Sequence, residues 1–382
     1  MMNIRNLFLF VVPAITAFYL GACTSGDSGS QPYGNWLLSG DYQINQIGDD
    51  NSGSSTVTAR INVVSNGDGT GTYSLTPGNL SSYPPADISG TLAYSIAADR
   101  TMSVTAPNNV QGVIAASGGL FVLSDTSRTD NSGVVVSVGM KKTSGLTTAV
   151  FSGDYQVHQA GDNGTGLYTS VVNIHADPLN QANDTWSIVS HSSGATGSGS
   201  FTYAMQPAND GTFKTTTYAG LSEIGTDYGI ASKDGSLFVI SDTNPAASAG
   251  PPVEDAEIIL AVGVKKSTNL SDAILKGNYQ INQIGLSGGT RYTARVDFTA
   301  DGNGHGTYAL TGHSAGGTGS GTFDYTVHPD GTMDIYIPNN VSPVGTKHGI
   351  ISADGSLIAI SDTVNGTAPE DPEIVVGIGI RK

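Results

Sequence analysis

"SGDYQINQIG" (39–48), "SGDYQVHQAG" (152–161) and "KGNYQINQIG" (276–285) are one ten-residue stretch written three times in a single chain. Aligned on it, the sequence falls into units at 38–142, 151–266 and 275–382. Other features recur in step. Gly90 and Tyr94, Gly199 and Tyr203, and Gly321 and Tyr325 share one spacing. "GVIAASGGLFVLSDT" (112–126), "GIASKDGSLFVISDT" (229–243) and "GIISADGSLIAISDT" (349–363) all close on Ser-Asp-Thr. Each unit ends in an apolar run and a basic pair: "VVVSVGMKK", "IILAVGVKK" and "IVVGIGIRK". Solenoid and propeller repeats run about 20–50 residues. These units are longer, each the size of a small domain.

Within the first unit, strand-like runs lie near 39–47, 55–64, 70–76, 88–96, 101–106, 110–116, 119–125 and 133–141. Asn-Gly, Asp-Gly and Gly-Gly pairs separate several of them, supplying the positive φ of tight hairpins. No long run has helical periodicity, so crossover helices and parallel pairing are not expected. The pattern predicts an all-β chain of three tandem eight-stranded antiparallel up-and-down (meander) barrels. In the second run Ala59, Ile61 and Val63 alternate with Thr58, Arg60 and Asn62, one dry face against one wet face. Closing the sheet on its dry face also removes exposed edges. A two-layer β-sandwich is the alternative.

The last run carries the closure. Ile374, Val376, Ile378 and Ile380 share one face, Val375, Gly377 and Gly379 the other, with Gly139 and Gly263 at equivalent places. Placing the glycines outside predicts sharp coiling there. By that parity Lys142, Lys266 and Lys382 fall inside, on the face that carries Tyr42, Tyr155 and Tyr279 near the start of each unit. The pairs Tyr42–Lys142, Tyr155–Lys266 and Tyr279–Lys382 are then expected to stack as cation–π lids. Gly40-Asp41-Tyr42 with Lys142, and its two counterparts, resembles the calycin pattern of lipocalins and avidins. There a Gly-x-Trp on the first strand is covered by a basic side chain from near the end of the fold. The resemblance implies a barrel, with tyrosine replacing tryptophan in all units, and it transfers no ligand.

Composition narrows the function. Lys and Arg number 16 and Asp and Glu 32, a formal charge of −16. No basic surface is available to neutralise phosphates, so nucleic acid is not an expected partner. At the N-terminus, Arg5 precedes the apolar run "LFLFVVPAITAFYL" (7–20), which is short for a bilayer-spanning helix and holds Pro13. It ends in Leu20-Gly21-Ala22-Cys23, and Cys23 is the only cysteine. This resembles the lipobox of bacterial lipoproteins. The resemblance implies a signal peptide at 1–22, acylation with palmitate-like chains at Cys23, and a membrane anchor. Residues 23–37, polar and rich in Gly and Ser, read as a flexible tether. Ser25 lies where Asp would signal inner-membrane retention, so the resemblance points to the outer membrane.

No catalytic constellation stands out. The seven histidines recur at no position common to all units and read as scattered, solvent-facing residues. No phosphate loop or dinucleotide fingerprint is present, and no cofactor or metal is expected. "NGDGTG" (66–71) and "DGNGHG" (301–306) read as hairpin turns rather than calcium loops. Asp125, Asp242 and Asp362 of the Ser-Asp-Thr triplets read as turn caps, with an oxygen-rich cation rim as the alternative. Gln46, Gln159 and Gln283 read as satisfying backbone groups, with amide-mediated sugar binding as the alternative. The expectation is a non-enzymatic surface lipoprotein that binds or presents, with a small apolar or saccharide ligand. An adhesin-like array and, further off, a secreted hydrolase are the competing readings.

Overall fold

The computed structural model describes residues 33–49, 56–80, 89–106, 109–126, 134–163, 166–219, 222–242, 258–337, 344–363 and 373–382. The leader, Cys23 and most of the expected tether lie outside them. The first unit contains β1 (Ser39–Asp49), β2 (Thr56–Asn66), β3 (Thr70–Leu80), β4 (Ser89–Ile96), β5 (Thr101–Ala106), β6 (Val110–Ile114), β7 (Leu120–Asp125) and β8 (Val135–Lys141). The second contains β9 (Gly153–Asp162), β10 (Leu167–Ala176), β11 (Thr185–His191), β12 (Ser198–Met205), β13 (Thr212–Ala219), β14 (Ser222–Ala231), β15 (Leu237–Ser241) and β16 (Ile258–Lys265). The third contains β17 (Lys276–Ser287), β18 (Thr290–Asp301), β19 (His305–His313), β20 (Ser320–Val327), β21 (Thr332–Ile337), β22 (Val344–Ile351), β23 (Leu357–Asp362) and β24 (Ile374–Arg381). Strands pair in sequence order and each set closes, so the units are three meander barrels and not sandwiches. First and last strands meet through Tyr42↔Lys141, Tyr155↔Lys265 and Tyr279↔Arg381.

A single 3-10 turn precedes each first strand, at Asn35–Leu37, Thr148–Val150 and Asp272–Ile274. Leu38, Phe151 and Leu275 follow these turns, buried, and plug one end of each barrel. Gly40, Gly153 and Gly277 then turn the chain into the wall with φ of +105°, +97° and +111°, a region where a Cβ is strained. The inward tyrosine seals the plug: Tyr42, Tyr155 and Tyr279 donate their hydroxyls to the carbonyls of Gly118, Gly235 and Gly355 at 2.8, 2.8 and 2.6 Å. Burial pushes all three phenols up to about 12. The recurrent glycine–tyrosine spacing has a related cause. Gly90, Gly199 and Gly321 leave room for the rings of Tyr73, Trp186 and Tyr308 on the preceding strand. Four residues on, Tyr94, Tyr203 and Tyr325 donate to the carbonyls of Leu38, Phe151 and Leu275.

The last strands correct the expected parity. Val136, Val138 and Met140 of β8, Leu260, Val262 and Val264 of β16, and Val376, Ile378 and Ile380 of β24 point out of their barrels. They meet in one core shared by all three units. That core takes seven positions from each barrel, and the positions are equivalent: Ile47, Ala160 and Ile284 open the series, and Met140, Val264 and Ile380 close it. The glycines of the same strands face inward. A Cβ on Gly139 or Gly263 would lie 2.0 or 2.1 Å from the ring of Phe121 or Phe238, which fills the barrel there. A hydrophobic outer face on a barrel must be covered, and the other two barrels cover it. The three copies therefore form one body around a pseudo-threefold axis.

Polar contacts repeat around that axis. Ser241 donates to Asn45 at 2.9 Å and Ser124 to Asn282 at 2.8 Å, while Ser361 meets His158 Nδ1 at 2.7 Å. Thr58 and Thr169 each donate to a carbonyl of the adjoining barrel, Asp242 and Asp362, at 2.6 Å, and Thr293 donates to that of Asp125. The second-strand face expected to be wet is thus partly sealed: Thr58 is buried in a seam. A ring of ion pairs runs in the same sense, Lys142–Asp210 at 2.9 Å, Lys266–Asp330 at 3.2 Å and Lys382–Asp99 at 3.8 Å.

Candidate functional site

The expected lids form with a different cation. Lys141 Nζ lies 5.8 Å from the Tyr42 ring centroid and Lys265 Nζ 6.0 Å from that of Tyr155. Arg381 stands opposite Tyr279 in the third barrel. Lys142, Lys266 and Lys382 sit one residue on, where the alternation turns them outward to the ion-pair ring. The inverted parity of the last strand and this one-residue shift are the same correction. Asp125, Asp242 and Asp362 lie at the ends of β7, β15 and β23, buried, with their serine neighbours locking the seams. The turns that follow them lie outside the described residues, so capping there stays a proposal. Lys347 Nζ reaches the Asp362 carboxylate at 3.2 Å inside the third barrel, with Lys347 and Asp362 both buried.

His158 departs furthest from the exposure expected of the histidines. His158 is fully buried in the seam between the second and third barrels, its Nε2 3.0 Å from Gln156 Oε1. Burial, with a smaller contribution from nearby His348, pushes its imidazole down to about 3. His328 and His348 flank the Asp334 carboxylate at 3.1 and 2.7 Å. Among the described residues no group of three or more His, Cys, Asp or Glu is arranged to hold a metal ion.

The second barrel holds a cavity of about 350 Å³. Its closed end is the plug residue Phe151, packed edge-on to Tyr203 and Phe213 at ring-centroid distances of 4.9 and 4.7 Å. Tyr155, Trp186, Phe201 and Phe238 complete an aromatic chamber. At the far end the lining turns polar, with Gln159, Thr215, Thr217, Asp227 and Asp242. Gln159 is four residues along β9 from Tyr155, which sets the chamber's depth at about 13 Å.

Side-chain size in equivalent positions explains the space. Strand register aligns Val157 with Ile44 and Ile281, Thr215 with Val104 and Ile335, and Ala231 with Ile114 and Ile351. Each change removes or polarises apolar volume in the second barrel. In the first and third barrels the larger residues belong to the interior clusters or pack against them. Sequence comparison of the three copies held this signal, since all three positions are read directly from the repeats.

The polar end is electrostatically distinct. Arg60 of β2 lies outside the second barrel, its guanidinium carbon 4.1 Å from the Tyr228 ring centroid. Burial holds Arg60 down to about 10, against the pull of Tyr228 and Asp242. His191, also on the lining, stacks on Tyr168 at 4.6 Å, and its Nδ1 accepts from the Ser193 amide at 3.1 Å. Partial burial lowers its pKa. An aromatic chamber with a few convergent polar groups is the form that small-molecule sites take.

No family model matches the chain, and no curated protein matches it. Among solved structures it is similar to the vaccine antigen transferrin binding protein B of Haemophilus parasuis, at 10% identity, with 89% of this chain and 75% of that one covered and a TM-score of 0.28. It is similar at the same level to the isotype 1 transferrin binding protein B of serogroup B Neisseria meningitidis, at 10% identity, 90% and 76% coverage and a TM-score of 0.26. A protein of unknown function from Nostoc punctiforme gives 8% identity, 91% and 99% coverage and a TM-score of 0.19. Overlaps this slight carry no function across, and the site rests on its own geometry.

Proposed function

We propose that this chain is a lipid-anchored, non-enzymatic bacterial surface protein, a binding or presentation module whose second barrel holds a small apolar ligand. The observation that carries the reading is the aromatic cavity of about 350 Å³ enclosed by that barrel. Burial of an apolar molecule there removes its surface from water at about 25 cal/mol per Å². The first and third barrels, with their clustered interiors, brace the second through the shared core. The anchor is carried by Leu20-Gly21-Ala22-Cys23 and the polar stretch after it. Stable anchoring takes two acyl chains or more.

Trp186 lines the cavity and reports on its contents. Titration of the full chain with the neutral probe phenylnaphthylamine should quench Trp186 and enhance the probe, saturating near one equivalent. Absence of saturable binding removes the cavity reading. Metabolic labelling with an alkyne fatty acid tests the anchor separately: label should follow the chain into the membrane fraction and disappear with Cys23→Ser. Retention of label in that variant would refute the acylation site.

A further inference from the structure

The plugged ends of the barrels face one way about the pseudo-threefold axis, and apolar side chains are exposed there. Trp36 is the middle residue of the turn Asn35–Leu37, where Thr148–Val150 and Asp272–Ile274 carry Ala149 and Ala273. It is 52% exposed. Tyr33, exposed beside it, has the Arg100 guanidinium carbon 5.1 Å from its ring centroid. Leu146 and Leu270 hold the place of Tyr33 in the other copies, half-buried against Gly211 and Gly331. Leu179, in the turn between β10 and β11, is 95% exposed at the same end, where Ala176 pairs with Gly153. Val64, opposite Asp41 near the start of β1, is exposed as well. Six large hydrophobic side chains are exposed among the described residues, and these four lie toward the plugged end. Singly exposed apolar residues are ordinary, but their collection at one end marks an interaction surface.

The aromatic pair belongs to the copy that follows the lipobox. Ten residues lead from Cys23 to Tyr33, and ten residues reach at most about 36 Å. An acyl group on Cys23 would therefore hold the plugged face closer to a bilayer than the open ends. Charge agrees with that orientation. Around Tyr33 both signs are present: Arg100 feels Arg381 and Asp99, and Lys382 pairs with Asp99 at 3.8 Å. The acidic stretches "PPVEDAE" (251–257) and "PEDPE" (369–373) instead fall between strands whose facing ends, Ser241↔Leu260 and Asp362↔Val375, lie at the open ends. Anionic lipid repels such stretches, whereas a mixed-charge face tolerates head groups.

We propose that the plugged face docks on the bilayer interface, with Trp36, Tyr33 and Leu179 at head-group level. The open ends, and with them the polar end of the second-barrel cavity, then point away from the membrane. Tryptophan and tyrosine suit that depth because each joins an apolar ring to a polar tip. Three side chains bind a bilayer weakly by themselves. A short tether raises their effective concentration at the surface to the order of millimolar, which makes a weak contact persist. The inference therefore rests on the anchor reading.

One reconstitution separates the two. The acylated full chain is placed in phosphatidylcholine vesicles, with or without lipid brominated near the head-group end of its acyl chains, a short-range quencher. Flotation reports the anchor and quenching reports the docking. Tryptophan emission should fall on brominated vesicles, and the loss should vanish in Trp36→Phe, since Trp186 lies inside the second barrel. In that background Leu179→Trp should bring the loss back. Val189→Trp, exposed on β11 toward the open end, should not. The substituted positions are exposed and the unmodified chain gives the first result, so a misfolded variant cannot obscure it. Flotation without quenching overturns the docking and leaves the anchor standing. Equal quenching of Leu179→Trp and Val189→Trp overturns the orientation. Trp36 emission that changes with protein concentration rather than with lipid puts a second copy on the patch and overturns the membrane assignment. Failure to float overturns both readings.

Discussion

Ile378→Ala tests the shared core most directly. Ile378 is 1% exposed and points out of the third barrel into the cluster built by all three. The substitution removes three carbons from a site with neighbours on every side. At about 0.8 kcal/mol per buried methylene the transfer loss is about 2.4 kcal/mol. The cavity left behind adds to it, so a total of about 3–4 kcal/mol is expected, within the range for buried Ile→Ala. With a urea m-value of about 3 kcal/mol/M or more for a unit this large, the midpoint should fall by about 1 M. The chain holds two tryptophans, Trp36 and Trp186, neither in the third barrel. In a Trp36→Phe background, Trp186 reports on the second barrel alone. If the copies share one core, its fluorescence midpoint and the far-UV circular dichroism midpoint should fall together. A loss below about 0.5 kcal/mol is what an exposed barrel surface would give. That result, or a Trp186 transition that stays in place while dichroism shifts, refutes the common core.

Three further expectations follow from the same geometry. Thr215→Ile copies the third barrel into the second at a position on the cavity lining; it should reduce the cavity, weaken probe binding and raise the thermal midpoint, and unchanged probe affinity would contradict the assigned site. Gly139→Ala drives a methyl group into the Phe121 ring and should cost about 1–3 kcal/mol by urea denaturation; a neutral outcome would mean that this face of β8 points outward after all. His158 is held neutral in the fold, its pKa near 3 against an ordinary value of about 6.5. The unfolded chain therefore binds the proton more readily, and the stability gained from neutral His158 is full above about pH 6.5 and lost as pH falls toward about 3. By pH 4.5 the loss reaches roughly 2–3 kcal/mol, and His158→Asn, the residue type of the other two seams, should flatten that part of the stability–pH curve; an unaltered slope would count against the seam assignment.

Much of the architecture was legible in the repeats because it is local. Hairpin turns, period-two alternation and the returning Gly-Asp-Tyr stretch are set by neighbours a few residues apart. They were enough for eight strands per unit, for closure and for an inward Tyr42 beneath a basic side chain. The cation's identity failed by one residue, Lys141 for Lys142. A single inverted assumption produced that error, namely that large side chains face inward and glycines outward on the last strand. On an isolated barrel the assumption is sound, since an apolar outer face would meet water.

The seam chemistry was invisible for the same reason. Ser241 and Asn45 are 196 residues apart in the chain, and nothing local in either marks a partner. The triplets read as turn caps because capping is what Ser, Asp and Thr do with their own backbone. The cavity lies between these cases. Val157, Thr215 and Asp227 stand out once the copies are aligned, yet only the fold shows that they line one chamber. Sequence alone determined the strands, their order and the threefold repetition, because hydrophobic alternation and turn residues act over short distances. The tertiary structure alone decided which apolar face is inside a barrel and which lies between barrels. Both faces exclude water equally well, and only packing the three copies together tells them apart.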